Sequence, residues 1–296
     1  MIIVNDMIYG EVSLPPVFEE LLLGKTLQRL NHIHHSGAIF LVNPSMNHKR
    51  LEHAIGVMLL IRKLGGTEIE QLAGLLHDIS HTAFSHVGDY VMNNTTETYH
   101  EQLFEATLLN SEIPDILYKY GYHPQQLLQE NFPLLEQPLP LLCADRLDYT
   151  LRDALHARII TPLEARSLIA KTVVHQGTIC LQSQESADWI NHIYKRLNKE
   201  VFHAPLYVYA NQQLSILLQD MILGGKLSPS DLMCNDTELL YRINSSKQGY
   251  EGLKAIRAHE GYTSFLLSGP RLKIKKRHLD ASFISYTNCS QELSTA

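Results

Sequence analysis

The segment Leu75-Leu76-His77-Asp78-Ile79-Ser80-His81 sets an imidazole beside a carboxylate within an apolar run. A carboxylate among leucines is costly to bury unless it is paired or coordinates a metal. Taken alone the dipeptide is weak, because an ordinary His–Asp hydrogen bond at a helix end would satisfy it equally well. Two other places strengthen it. His53 lies among Ala54, Val57 and Leu64, and Asp145 lies within Leu141-Leu142-Cys143-Ala144-Asp145-Arg146-Leu147, again an acid with apolar neighbours. Two imidazoles and two carboxylates make a mixed nitrogen and oxygen shell that suits Mn, Fe, Zn, Ni or Mg and leaves positions for water and substrate. Nine of the 16 histidines fall between residues 32 and 100, a local excess of the commonest metal ligand and proton shuttle.

The elements that must bring these residues together are mostly helical. Residues 2–14, rich in Ile and Val around a Gly, read as a hairpin, and Pro15-Pro16 opens a helical stretch over 17–30. Leu51, Ala54, Ile55, Met58, Ile61 and Leu64 repeat at three and four, and Gly65-Gly66 stops that helix. Thr67 and Glu70 fit a capping box for the next one, with Ile69, Leu72, Ala73 and Leu76 on its apolar face. A helical hairpin turning at Gly65-Gly66 can set His53 opposite His77. A third helix is expected over 139–156, carrying Asp145, with others near 101–110, 163–173, 185–201 and 207–223. Residues 271–286 read as a strand or edge hairpin. Their basic cluster Lys273, Lys275, Lys276 and Arg277 reads first as a solvated edge that discourages aggregation, with phosphate binding the competing reading.

The order His53…His77-Asp78…Asp145 resembles the signature of the HD-domain phosphohydrolase superfamily. The likeness extends to its deoxynucleotide triphosphohydrolase branch through Asn5-Asp6-x-x-x-Gly10, Gln28-Arg29-Leu30 and Arg50-x-Glu52-His53-x-x-Gly56-Val57. It continues through His77-Asp78-Ile79-x-His81-x-x-Phe84-Ser85-His86, His100-Glu101 and Asp145-x-x-Asp148-Tyr149-x-x-Arg152-Asp153. The resemblance runs from about residue 5 to 155, more faintly to about 225. It implies a mainly α HD-domain bundle over 1–225 with the 2–14 hairpin, and a small C-terminal α/β accessory region over 226–296 packed on the same domain.

It also implies one divalent metal held by His53, His77, Asp78 and Asp145. His81 is then expected to protonate the departing 5′ oxygen, oriented by Asp89 and His100. Arg50 and Arg146 are expected to hold phosphate oxygens, with Tyr149 and Asp153 at the sugar. The implied activity is hydrolysis of a deoxynucleoside triphosphate to nucleoside and triphosphate, by a cytoplasmic homo-oligomer.

The chain departs from that branch at several positions. Ser80 stands where a Gly often follows His-Asp-Ile, and His35 and Ser36 stand where Gln and Leu touch base and sugar. Leu23 and Asn31 replace an acid and an arginine of the nucleotide-regulated site in the animal relatives, so that switch is not expected here. His32, His34 and His35 also read as polar residues near a helix end, and His86 as a structural histidine. Rival readings are another HD-type phosphohydrolase or phosphodiesterase, a di-iron oxygenase recruiting His100 and His123, and a nucleotide-sensing module that binds without cutting.

Composition sets the outer limits. The 296 residues carry a formal net charge of −6 and 19% charged residues, which excludes wholesale disorder and argues against a surface that tracks nucleic acid. No apolar run is long enough to span a bilayer, and the start carries no signal-peptide pattern. Cys143, Cys180, Cys234 and Cys289 are scattered without a Cys-x-x-Cys pair, as suits a reducing compartment.

Overall fold

The computed structural model describes residues 2–275 and 277–284; Lys276, Cys289 and the end of the expected 271–286 strand lie outside them. Strands β1 (Ile2–Asp6) and β2 (Gly10–Leu14) pair antiparallel, with Ile2 opposite Leu14 and Asp6 opposite Gly10. The turn is closed by Asp6 Oδ1, which accepts from the backbone N–H of Ile8 (2.7 Å) and Tyr9 (3.0 Å). Helices α1 (Pro16–Leu23) and α2 (Lys25–Leu30) follow, where one continuous helix was expected. The break is tertiary. Glu112 caps α2 by accepting from Thr26 N (2.8 Å) and Thr26 Oγ1 (2.9 Å), and Gly24 between the helices is extended and leaves room for that carboxylate.

Helices α3 (Arg50–Lys63) and α4 (Glu68–Leu76) form the expected helical hairpin. Gly65 takes the turn at φ 81°, and a Cβ on Gly74 would meet Ile61 Cδ1 at 2.6 Å, so the two helices touch closely. Thr67 caps α4 by accepting from Glu70 N, but Glu70 does not complete a box: its Oε1 accepts from Leu134 N (2.7 Å) and pins a distant loop against α4. Helices α5 (Val87–Val91), α6 (Tyr99–Leu109), α7 (Ile113–Lys119) and α8 (Pro124–Gln129) wrap one side. Helix α9 (Ala144–His156) begins five residues later than the periodicity suggests, because 139–143 form the loop that Arg146 holds.

Beyond α10 (Pro162–Ala170), a second hairpin of β3 (Thr172–His175) and β4 (Thr178–Leu181) replaces the expected end of a helix. Its turn, Gln176-Gly177, has positive φ at both residues, the geometry that suits a tight hairpin. Helices α11 (Gln184–Leu197) and α12 (Pro205–Leu223) complete the main body. Helices α13 (Asp236–Asn244) and α14 (Lys247–Arg257) then share a cluster of Leu214, Leu218, Leu239, Ile243, Leu253 and Phe84 with α12, and α15 (Tyr262–Ser268) packs Phe265 on Val208 and Tyr209 of α12. Among the described residues, 271–275 and 277–284 form no strand, apart from one bridge of Phe283 to Leu181. The main core gathers α3, α4, α9 and α11 around Val57, Leu60, Leu76, Leu147, Leu151 and Ile190. The chain is therefore mainly helical, with two small antiparallel sheets.

Candidate metal centre and active site

Three helices deliver the donor atoms. His53 comes from the buried face of α3, His77 and Asp78 from the end of α4, and Asp145 from the first turn of α9. His53 Nε2 lies 2.9 Å from Asp145 Oδ1 and 3.9 Å from Asp78 Oδ2, and His77 Nε2 lies 3.5 Å from Asp145 Oδ1 and 3.4 Å from Asp78 Oδ1. Two nitrogens and two carboxylates thus converge within van der Waals reach of one another.

Each imidazole is fixed from behind. His77 Nδ1 donates to Gly74 O (2.8 Å), which leaves the buried Nε2 facing the carboxylates without a hydrogen-bond partner. A buried ring nitrogen so placed is where a cation would bind. His53 Nδ1 is held by Asp148 Oδ2 (2.8 Å), so its Nε2 faces the cluster. That is the outer carboxylate commonly found behind a metal-bound histidine. The residues fit a divalent metal with open positions.

The electrostatics agree. Burial disfavours the His53 imidazolium, yet hydrogen bonds to Asp145 and Asp148 outweigh it and hold its pKa up at about 10. Burial would raise Asp78, but Arg50, His77 and His81 pull it well below the usual carboxylate range. Asp145 is likewise held low, its burial overcome by His53 and His77. The site carries carboxylate charge that a cation would neutralise.

Asp148 links the centre to the N-terminus. Arg152 Nε donates to Asp148 Oδ2 (2.7 Å), Arg152 Nη2 to Asp6 Oδ2 (2.8 Å), and Tyr9 OH to Asp148 Oδ1 (2.8 Å). The residues of Asn5-Asp6-x-x-x-Gly10 therefore brace the metal centre from outside. A Cβ on Gly56 would lie 2.0 Å from Arg152 Nη2 and 2.1 Å from Asp148 Oδ1, so only glycine lets α3 approach this network. Arg29 acts similarly, donating Nη2 to Ile79 O (2.6 Å) to hold the His77–His81 turn.

Around the centre lies a cavity of about 620 Å³, lined by residues from His35 to Arg277. Every residue expected in the site lines it except Asp89, which is buried just behind. His81 Nε2 lies 3.3 Å from Asp78 Oδ1, and its ring stacks on His100 with centroids 3.8 Å apart. Burial and Arg50 push His81 well below the usual histidine range, and burial pushes His100 down to about 4. Asp89 does not orient His81. Its Oδ2 lies 3.0 Å from His86 Nδ1 and its Oδ1 accepts from Tyr99 N (2.9 Å). His86, read from sequence as structural, faces the cavity with about a third of its side chain exposed.

The phosphate and sugar candidates divide. Arg50 is buried, donating Nε to Ser85 Oγ (2.7 Å) and Nη1 to Asp78 Oδ2 (2.6 Å). Arg146 is not free to clamp a phosphate: its Nη1 donates to Leu141 O (2.5 Å) and Nη2 to Gln137 O (3.1 Å). Tyr149 OH lies 3.1 Å from Tyr194 OH. Asp153 accepts from His48 Nε2 (2.8 Å) and lies 3.6 Å from His35 Nδ1, while burial lowers His35 to about 3. His34 is not a surface residue; its Nδ1 lies 2.6 Å from Asp236, which also fixes the Phe84 backbone. His123 caps α8, is exposed, and lies outside the cavity, so the pair His100 and His123 needed for a second iron is not brought together. Asn211, Phe132 and Glu136 line the cavity without having been singled out for it, and Lys275 and Arg277, from the basic cluster read first as a solvated edge, line it too.

Comparison with known proteins agrees with the geometry. Residues 50–153 match the HD domain model. The chain is 46% identical to the uncharacterized protein YdhJ of Bacillus subtilis over 82% of this chain and 76% of that protein. It is 33% identical to the metal-dependent phosphohydrolase cns2 of Cordyceps militaris over 76% of this chain and 68% of cns2. The chain belongs to the HD-domain family of metal-dependent phosphohydrolases. This HD-domain chain is also 24% identical to the deoxynucleoside triphosphate triphosphohydrolase SAMHD1 of Gallus gallus, over 66% of this chain but 41% of that protein. A hypothetical protein from Aquifex aeolicus, solved at 2.0 Å, shares the fold with a TM-score of 0.67 at 22% identity, covering 88% of this chain and 76% of that one. Among the described residues, no helix is long and apolar enough to cross a membrane.

Proposed function

We propose that this HD-domain protein hydrolyses the phosphate ester of a nucleotide, with a deoxynucleoside triphosphate as substrate and nucleoside and triphosphate as products. The observation that carries the reading is the orphaned Nε2 of His77, set among His53, Asp78 and Asp145 beside the paired His86 and Asp89. The names of cns2 and SAMHD1 support it, the second at lower identity. A divalent cation held by His53, His77, Asp78 and Asp145 would polarise a phosphate oxygen and acidify a bound water. Water adds to the α-phosphorus as the bond from phosphorus to the 5′ oxygen breaks, and that oxygen needs a proton.

His86 is the better donor. It is about a third exposed, lines the cavity and is backed by Asp89, whereas His81 is buried and strongly disfavours its charged form. His81 and Arg50 then orient phosphate oxygens as neutral and charged hydrogen-bond donors. Tyr149, Asp153, His35 and Ser36 face the sugar and base. Because His35 and Ser36 replace Gln and Leu at the branch's sugar and base positions, the base accepted is set by these two residues. The reading extends to a homo-oligomer of the cytoplasm, which light scattering of the purified chain tests.

The experiment is direct. Purified protein is incubated with Mn²⁺ and each dNTP, NTP and nucleoside monophosphate, and products are separated by anion-exchange chromatography. Release of nucleoside and triphosphate from a dNTP supports the full reading. Phosphate released from another ester keeps the hydrolase and changes the substrate, and no turnover with any divalent metal removes both.

A further inference from the structure

Beyond α15, residues 269–275 and 277–284 form an irregular strap, part of which walls the cavity. It is tied by Arg271 N to Gln212 Oε1 (2.6 Å), by Asp280 N to Pro140 O (3.0 Å) and by Ala281 N to Asn191 Oδ1 (2.9 Å). Between these ties, Ile274, Lys275 and Arg277 line the cavity. The anchor there is Glu97, 5% exposed, whose carboxylate receives the Arg277 guanidinium, the backbone N–H of Lys275 (3.4 Å) and Tyr90 OH (3.4 Å). Glu97 has φ 57°, a left-handed conformation that a glutamate adopts at a cost. A strained, buried carboxylate is thus committed to placing one stretch of the strap.

The stretch it places is basic, and it adds Lys275 and Arg277 to a cavity whose other arginines, Arg50 and Arg146, are partly engaged by the protein. Arg50 is bound to Asp78 and Ser85, and Arg146 to the carbonyls of Gln137 and Leu141. The Lys275 ammonium makes no ion pair among the described residues. Glu97 also lies within electrostatic reach of His86, and both line the cavity together with Lys275 and Arg277, so the basic stretch shares a wall with the catalytic histidines. We propose that Lys275 and Arg277 form a subsite for the distal phosphates of that chain, so that the strap selects nucleotides with an extended polyphosphate over monophosphates. This deepens the phosphohydrolase reading and rests on it for the direction in which the chain lies.

The test uses the full chain in saturating Mn²⁺, titrated calorimetrically with sodium tripolyphosphate and with orthophosphate. Lys275→Gln and Arg277→Gln are each expected to weaken tripolyphosphate by about tenfold while orthophosphate changes by less than about twofold. Lys275→Arg should restore tripolyphosphate binding. Equal weakening of both ligands, or no weakening of tripolyphosphate, overturns the proposal. Should Arg277→Gln fail to fold for want of its Glu97 partner, the exposed Lys275 decides the matter alone. Nucleotide hydrolysis by the unaltered chain is read separately. Hydrolysis with an unchanged Lys275→Gln titration removes the strap subsite and keeps the enzyme. Discrimination between the two phosphates without hydrolysis keeps the subsite and removes the enzyme.

Discussion

His53 and Asp148 are joined by a 2.8 Å contact from Nδ1 to Oδ2, and that contact sets which nitrogen of His53 faces the metal centre. Asp148 is fully buried, paired with Arg152 and touched by Tyr9, so the donor set depends on a strut that runs from the N-terminal hairpin through α9 into α3. Asp148→Asn should weaken divalent metal binding by about 10- to 100-fold, because the imidazole loses its fixed orientation. It should also lower stability by ~3 kcal/mol, since Arg152 is left buried with less compensation. Calorimetric titration with Mn²⁺ and urea denaturation measure the two losses separately.

Gly56 is where that strut meets α3. Gly56→Ala forces a methyl to about 2 Å from Arg152 and Asp148 and should cost about 3 kcal/mol by overpacking a rigid polar network. Gly65→Ala, at an open turn with φ 81°, should cost about 1 kcal/mol from backbone strain alone. Chemical denaturation of both variants reveals whether close approach or turn geometry dominates.

The division of labour between His86 and His81 is separable kinetically. His86→Gln should lower kcat by about 10²- to 10⁴-fold with little change in KM, as expected when a proton donor is lost. His81→Gln should act chiefly on KM by removing a phosphate contact. Steady-state assays on the substrate identified by chromatography distinguish them, and a reversed pattern would return the donor role to His81.

Acid should destabilise the chain through His100. Burial pushes its pKa down to about 4, below the ordinary value of 6.5 that the unfolded chain recovers. Between those values the unfolded state binds the proton and the folded state does not, so stability falls as pH drops from 6.5 toward 4. His100→Gln should flatten that decline. Melting temperatures at pH 7.5 and 5.0 check it: the gap between the two should narrow in the variant.

These outcomes bear on how far the sequence could be read. The α3–α4 hairpin was legible because its signals are local: apolar spacing, a Gly-Gly stop and a Thr cap. The break at Gly24 was not, because its cause is Glu112, brought in from a distant helix. The hairpin at 172–181 was missed: its first two residues fell in the helix expected over 163–173 and the rest was assigned to no element, although Thr172-Val173-Val174 and Gln176-Gly177 carried strand and turn signals. In the site, His53, His77, Asp78 and Asp145 converge because three packed helices present them at their close approach. His86 and Asp89 are three residues apart, a spacing that could have paired them, whereas the resemblance set Asp89 behind His81. Lys275 and Arg277 could not be placed, since nothing local says that a strap of irregular chain returns to the cavity.

His53, His77, Asp78 and Asp145 are expected to hold a divalent ion that serves phosphate-ester hydrolysis. Metal content by plasma mass spectrometry, measured on the purified chain and on His77→Gln alongside nucleotide turnover, tests this assignment most directly. About one divalent metal per chain is expected in the unaltered protein. In His77→Gln both metal and turnover should be lost with the fold retained. Full turnover by metal-free protein, or by His77→Gln, would contradict the assignment.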